Sequence, residues 1–250
     1  SCVVDAAQAL GNFVADNADL NRQIAIAQFN VEQTGQNWDK INALAIRATA
    51  VTGNYEAALE AVSHLSQVGF DDVGLFGAAV DALAGVAIKT GNALSFESLA
   101  EGFRESIKTK TPAGAYAEAV EAVLGEAAAD EVAKAFEGTK STKELIEVAL
   151  GYLTRAGAQT TMQDWVDENA ELVEYTQKTA ELTVAWANLA KEVTPIVTEV
   201  TSLMTGIVNN VTAFVDGYKV GKEKRDKFLE QYGIDLNSIL SGMFGFFDRP

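Results

Sequence analysis

Apolar residues recur three and four positions apart along most of the chain, and no stretch shows the sustained alternation of a strand. Alanine is abundant and only three prolines occur, which favours helix. The pattern predicts an all-α protein in which irregular antiparallel helical hairpins pack into a bundle. The predicted helices cover residues 3–32, 36–51, 54–68, 71–90, 95–109, 113–124, 127–137, 141–156, 161–191, 194–222, 223–232 and 235–245.

Turn residues separate these helices. Glycines follow the predicted helix ends at Gly53, Gly91 and Gly157, where a left-handed residue ends a helix at little cost. Ser141 and Glu144 have the spacing of a capping box at the start of "STKELIEVAL".

The segment "GLFGAAVDALAGVAIKTG", residues 74–91, is apolar on most of its surface and is therefore predicted to be central. Its glycines lower helix propensity, so they indicate that something lies close to the backbone. That neighbour is another helix or a flat ligand, and helix packing is the simpler interpretation.

A change in composition near residue 160 divides the chain into an Ala-rich multi-helix part, 1–157, and a second part, 158–250, with longer elements and more threonine. The second part is predicted to be a long helical hairpin with a C-terminal tail, packed as one unit with the first part.

The predicted hairpin joins 161–191 to 194–222, with Thr194 as the N-cap and Pro195 in the first turn of its second helix. In the first helix, Leu172 and Leu182 are among the residues expected to supply the apolar surface. The second helix has a heptad seam, which predicts one buried partner surface within the chain or on another copy. The seam residues are Val197, Val200, Met204, Ile207, Val211, Phe214 and Tyr218.

Two features follow the seam. The segment "KVGKEKRDK", 219–227, carries five of the nineteen basic residues. These cations are expected either to stabilise the C-terminal end of the preceding helix through its dipole or to dock on the acidic body of another subunit. The tail contains Phe244, Phe246 and Phe247 and is too apolar to be free. These phenylalanines are expected to fold back onto the core or to bind a neighbouring copy.

The segment "TGNYEAALEAV", 52–62, resembles the turn and second helix of a tetratricopeptide unit through Gly53, Tyr55 and Ala58. Echoes occur at 90–92 and 116–123. Their spacing is not constant, whereas a solenoid stacks repeats of one period. Irregular hairpins therefore describe the pattern better than a solenoid.

Composition and motifs restrict the chemistry. The net charge is −16, so the basic footprint that nucleic-acid binding needs is missing and no such partner is predicted. Neither a phosphate-binding loop nor an EF-hand pattern occurs. His64 is the only histidine and Cys2 the only cysteine, which are too few for a typical zinc site. The chain is predicted to be non-enzymatic, without a metal or required cofactor.

His64 is still a candidate ligand for a pigment. The segments "DAAQALG", 5–11, and "NWDKINALAIRATA", 37–50, resemble the water-soluble peridinin–chlorophyll proteins. This resemblance implies a soluble carrier of a pigment or another hydrophobic ligand such as a lipid. The other interpretation of His64 is a structural or surface residue.

The chain begins Ser1-Cys2-Val3 without methionine, which fits a processed protein that is exported or lies in an organelle lumen, or a residue left by cloning. No run of 18 apolar residues occurs, so no transmembrane helix is predicted. Membrane association would then use lipidation of Cys2 or the 161–222 hairpin.

Three functions are consistent with these patterns. The preferred one is a structural protein that forms a homo-oligomer or larger assembly by packing helices with copies of itself or partner proteins. The alternatives are the carrier of a hydrophobic ligand and a membrane-active, pore-forming helical protein.

Overall fold

The computed structural model describes residues 2–216, and within that range it contains ten helices and no strand. The prediction of an all-α helical bundle is confirmed. The helices are α1 (Cys2–Gln33), α2 (Trp38–Thr52), α3 (Tyr55–Ser66), α4 (Val73–Lys89), α5 (Phe96–Thr109), α6 (Gly114–Leu124), α7 (Glu126–Glu137), α8 (Thr142–Arg155), α9 (Ala158–Glu168) and α10 (Ala170–Asp216).

The chain forms two compact units. Residues Asp19–Ala187 make up the larger one, here called the helical body. Ser1–Ala18 and Asn188–Pro250 make up the other, here called the terminal unit. The division at residues 157 and 158, which rests on composition, stays a prediction.

Helices α2 to α8 begin and end within two residues of their predicted bounds, and side-chain caps mark the starts of α2 to α5. The side chains of Asn37, Asn54, Asp72 and Ser95 each accept a hydrogen bond from a backbone N–H in the first turn of α2, α3, α4 and α5. Such a cap contributes about 1 kcal/mol. These four helix starts are therefore encoded by residues next to them in sequence.

The predicted capping pair at the start of α8 is also formed. The Glu144 N–H donates to Ser141 Oγ at 3.1 Å, and the Glu144 carboxylate accepts from the backbone N–H of Lys140 at 2.8 Å. The glutamate thus reaches one residue beyond the cap itself. Both bonds satisfy donors that the helix cannot satisfy internally.

Helix α4 is the centre of the helical body, as predicted. It packs against α2, α5, α8 and α9. The fully buried part of its surface includes Ala79, Val80, Leu83 and Val86. Small alanines alternate with larger apolar residues here, so neighbouring helices approach α4 from several sides.

The glycine at the crossing of α4 and α9 fits only a close helix contact. A Cβ atom built on Gly85 would lie 1.7 Å from the carbonyl oxygen of Ala158, which is far inside van der Waals contact. The backbone of α9 therefore occupies the space that a side chain would need. For Gly85, helix packing and not a flat ligand is the correct interpretation.

A series of aromatic rings runs through the core. Phe70 stacks on Phe76 with centroids 4.6 Å apart, and Phe103 lies 6.4 Å from Phe70. Phe103 then meets the Tyr116 ring edge-on at 5.7 Å, and Tyr116 lies 6.0 Å from Phe136. The Tyr116 hydroxyl donates to the Ala149 carbonyl at 2.9 Å, and burial raises the pKa of this phenol. These contacts connect α4, α5, α6, α7 and α8.

The predicted helix boundary at Thr194 and Pro195 is wrong. Helix α10 runs from Ala170 to Asp216 without a break, with Pro195 inside it. The Thr194 hydroxyl does not cap a new helix; it donates to the Ala190 carbonyl at 2.8 Å. The chain therefore makes no hairpin turn at this point, and the break in the predicted helix 161–191 lies at Asn169, between α9 and α10.

Replacement of Pro195 by alanine tests this continuous helix. A proline inside a helix removes one backbone hydrogen bond and crowds the preceding turn, which together lower stability by about 3 kcal/mol. We expect Pro195→Ala to raise the free energy of unfolding by about 1–3 kcal/mol in urea denaturation, with greater hydrogen-exchange protection around residue 195.

Thr198→Ala is the control, because it keeps every backbone bond of α10 and should change stability by less than about 0.7 kcal/mol. Destabilisation by Pro195→Ala would instead indicate that Pro195 begins a helix.

Candidate interaction surface

Within the helical body, α10 has two different apolar faces. The inner face carries Val173, Ala180 and Ala187, which are spaced by seven and buried in the core. The first part of α10 is therefore anchored by residues that recur at the heptad period.

Larger apolar residues lie on the outer face. Leu172 is 56% exposed, Tyr175 is 71% exposed and Leu182 is 55% exposed; these three are called the outer stripe. Their spacing of three and seven corresponds to positions a, d and d of a heptad. The expectation that Leu172 and Leu182 pack against 194–222 of the same chain is wrong, because α10 continues past Pro195 and leaves both side chains exposed. Packing against 194–222 of another copy stays a prediction.

The outer stripe is unusual within this protein. Among the described residues, nine large apolar side chains are exposed, and six of them lie on α10. Trp186 follows at the next a position of the helical body. In the terminal unit, Leu189 and Ile196 continue the spacing and are exposed as well. Within the helical body, the exposed apolar residues of α10 therefore form a periodic surface and not a scatter of single residues.

Charged residues flank the outer stripe. Glu171, Glu174, Lys178 and Glu181 are all exposed on the same stretch of α10. Lys178 Nζ lies 2.9 Å from Glu181 Oε2, and this hydrogen bond raises the pKa of the lysine. With Leu172 at an a position, Glu171 and Lys178 take the g positions that flank the stripe, whereas Glu174 and Glu181 take c positions farther round the helix.

Most of the interaction residues predicted from the sequence are not tested. Val197 is half-buried on α10. The side chains of the other predicted residues lie outside the described part of the structure: Val200, Met204, Ile207, Val211, Phe214, Tyr218, Phe244, Phe246 and Phe247. Their role as contacts stays a prediction.

His64 lies in a surface cluster of polar groups on α3 and α5. Its Nδ1 is 3.6 Å from Glu101 Oε2. Arg104 donates two hydrogen bonds to Glu101, at 2.6 and 3.2 Å, and a third to Gln67 at 3.2 Å. This arrangement holds the histidine beside a carboxylate, and pigment ligation by His64 stays a prediction.

The Arg104 guanidinium lowers the pKa of Glu101, mainly through its hydrogen bonds. A carboxylate with a lowered pKa stabilises the folded state above its unfolded-state pKa, and that contribution is lost as pH falls through the folded-state value. We expect Arg104→Gln to raise the pKa of Glu101 towards its ordinary value of 4.5. The carboxyl ¹³C chemical shift followed against pH measures this change.

Lys108→Gln is the matched control, because Lys108 acts on Glu101 only through space and is the weakest of its cationic neighbours. It should shift the pKa of Glu101 less than Arg104→Gln does. Equal shifts in both variants would contradict the role of the hydrogen bonds.

An open groove lies between the α2–α3 turn and α10. Its volume is about 290 Å³, and it is lined by Tyr55 and Tyr175 together with Thr176, Thr179 and Thr183. The three threonine hydroxyls donate to backbone carbonyls of α10 at 2.8 Å, and the Tyr55 hydroxyl donates to Asn42 Oδ1. The protons of these four hydroxyls are therefore used within the protein, and the groove is small.

Residues 2–216 contain neither a metal site nor a membrane-spanning helix. No group of three or more His, Cys, Asp or Glu side chains there is arranged to hold a metal ion. None of the helices in this range is both long enough and apolar enough to span a bilayer.

The chain matches no protein-family model, no curated protein and no solved structure. The outer stripe is thus the feature of the described residues with the clearest chemical meaning.

Proposed function

We propose that this chain is a non-enzymatic helical assembly protein that packs its helices against copies of itself or against partner proteins. The observation that carries the proposal is the outer stripe of Leu172, Tyr175 and Leu182 on the exposed face of α10. Contiguous apolar surface of this kind marks sites that are covered by another molecule.

The two faces of α10 support the proposal. The inner face is already covered by the helical body, so a requirement for folding does not explain the large residues on the outer face. Removing apolar surface from water contributes about 25 cal/mol per Å². A helical partner that covers Leu172, Tyr175 and Leu182 would gain this stabilisation along one regular seam.

The test is the size of the protein purified from its native source. Size-exclusion chromatography with light scattering should give a mass greater than that of one polypeptide. Cross-linking mass spectrometry should place contacts on α10, with Lys178 as the reactive amine on this surface. A single-chain mass would contradict the proposal.

The same material tests the carrier alternative, for which the groove at α10 is the relevant feature. Small-molecule pockets usually have volumes of about 300–1,000 Å³, so a groove of about 290 Å³ fits a small ligand better than a pigment. Visible absorption by the purified protein would reverse this preference. Export or an organelle lumen, and membrane association through Cys2, stay predictions.

A further inference from the structure

We propose that the groove between the α2–α3 turn and α10 binds a small primary amine in its ammonium form. The inference goes beyond the proposed assembly function and does not depend on it. All the residues that carry it lie in the helical body of one chain.

The α10 wall of the groove offers hydrogen-bond acceptors. The hydroxyls of Thr176, Thr179 and Thr183 each donate to a backbone carbonyl of α10 at 2.8 Å. A hydroxyl oxygen that donates its proton in this way still has lone pairs that can accept. A ligand that meets this wall is therefore favoured when it brings donors, and a primary ammonium brings three donors and no acceptor.

The opposite wall has the same character at Tyr55. Its hydroxyl donates to Asn42 Oδ1, and burial raises the pKa of this phenol, so the proton stays on the oxygen. The Asn54 side-chain oxygen accepts from the Ala57 N–H at 3.1 Å and caps α3. Neither hydroxyl wall thus supplies a free proton to an anionic or carbonyl ligand.

The charge of the groove is negative. Among the described residues that line it, Glu56 is the only charged one, and it is exposed in the first turn of α3. A carboxylate beside a row of acceptor oxygens attracts a cation and repels an anion. The net charge of −16 adds a long-range attraction for cations.

The end of α2 contributes a partial negative charge to the same place. Thr49 in its last turn and Gly53 at its C-cap both line the groove. The last turn of α2 contains no basic residue, so no side chain of that turn neutralises the negative end of the helix dipole. At the neighbouring start of α3, the positive end of the dipole is met by the Asn54 cap and the Glu56 carboxylate.

Size and apolar lining restrict the amine further. A volume of about 290 Å³ is at the lower end for small-molecule sites. Tyr175, which is 71% exposed, and Ala180 supply apolar lining, and the face of an aromatic ring attracts cations. The ligand that fits these features is a short amine with an apolar body, for which phenethylammonium is a suitable probe.

Nuclear magnetic resonance titration of the full chain with phenethylammonium tests the proposal. The amide signals of residues 53–56 and 175–183 should shift and saturate, with a dissociation constant on the order of 1 mM or below. Phenylethanol has the same body without the charge and should bind about tenfold more weakly. Phenylacetate, an anion, should shift none of these signals, and high salt should weaken binding of the amine.

Two variants and a matched control locate the site. Glu56→Gln removes the carboxylate and should weaken binding by about threefold, and Thr179→Val, which removes one acceptor at nearly constant volume, should have an effect of about the same size. Glu126→Gln removes the same charge from an exposed position in the first turn of α7 and should leave binding unchanged.

Circular dichroism should show the helix content of the wild type in all three variants, since none of the replaced side chains is buried. The proposal would be overturned if phenethylammonium shifted no signal of the groove, if phenylethanol bound as tightly, or if Glu56→Gln and Glu126→Gln bound equally well. The mass of the native protein tests the assembly function separately, so either proposal can fail while the other stands.

Discussion

Gly85→Ala is expected to destabilise the helical body by about 3 kcal/mol, although alanine is the better helix former. The added Cβ would lie 1.7 Å from the Ala158 carbonyl oxygen, and that atom belongs to the backbone, so no side-chain rotation can relieve the clash. Helices α4 and α9 must separate, and overpacking of this kind typically costs 1–3 kcal/mol or more. The gain in helix propensity is only about 1 kcal/mol.

Gly151→Ala is the matched control for this variant. Gly151 is also inside a helix, α8, but nothing lies within 4 Å of the position its Cβ would take. This change should stabilise the protein by about 0.5–1 kcal/mol. Urea denaturation of both variants gives the comparison, and equal effects would contradict the close crossing of α4 and α9.

Phe103→Ala is expected to cost about 3–5 kcal/mol, because it removes a fully buried ring and leaves a cavity. Phe103 is the ring that joins Phe70 to Tyr116, so its loss also breaks the series in the middle. Thermal and urea unfolding should both show the change.

The control for this truncation is Phe29→Ala on α1. The Phe29 side chain is 62% exposed, so the same chemical change should alter stability by about 0.5 kcal/mol or less. If Phe103→Ala lowered the free energy of unfolding as little as Phe29→Ala does, the packed aromatic core would be contradicted.

The sequence predicts α2 to α8 well because the signals that bound these helices are local. Asn37, Asn54 and Asp72 cap helices that begin at the next residue, and Gly53 ends α2 in the left-handed conformation. Such signals act within one turn of helix. They can be recognised without knowing which helices are neighbours.

The prediction failed where local and tertiary preferences differ. Thr194 followed by Pro195 has the pattern of a helix start, but apolar periodicity continues on both sides and the helix runs through. The free-energy cost of one missing backbone hydrogen bond is smaller than the stabilisation gained by continuing the helix past Pro195. Proline at this position is a weak boundary signal for that reason.

The outer stripe was visible in the sequence only as apolar residues of a long helix. The apolar pattern predicts that residues 194–222, of the same chain or of another copy, cover Leu172 and Leu182, because the sequence does not show which face of α10 meets the body. That choice depends on Val173 and Ala180, whose burial follows from the arrangement of the other helices. The spacing of seven can be recognised in the sequence of α10 alone. Which of its faces packs on the body depends on the other helices.

The crossing of α4 and α9 has a consequence for the order of folding. Helices α5 to α8 lie between these two in the chain, whereas pairs such as α2 and α3 or α5 and α6 are adjacent in sequence. Because distant contacts require closure of longer loops, the adjacent pairs are favoured to form first. Contacts absent from the transition state change the unfolding rate more than the folding rate. The fit of Gly85 against Ala158 would therefore set how long a folded molecule survives, while the speed at which it forms is set by the neighbouring pairs.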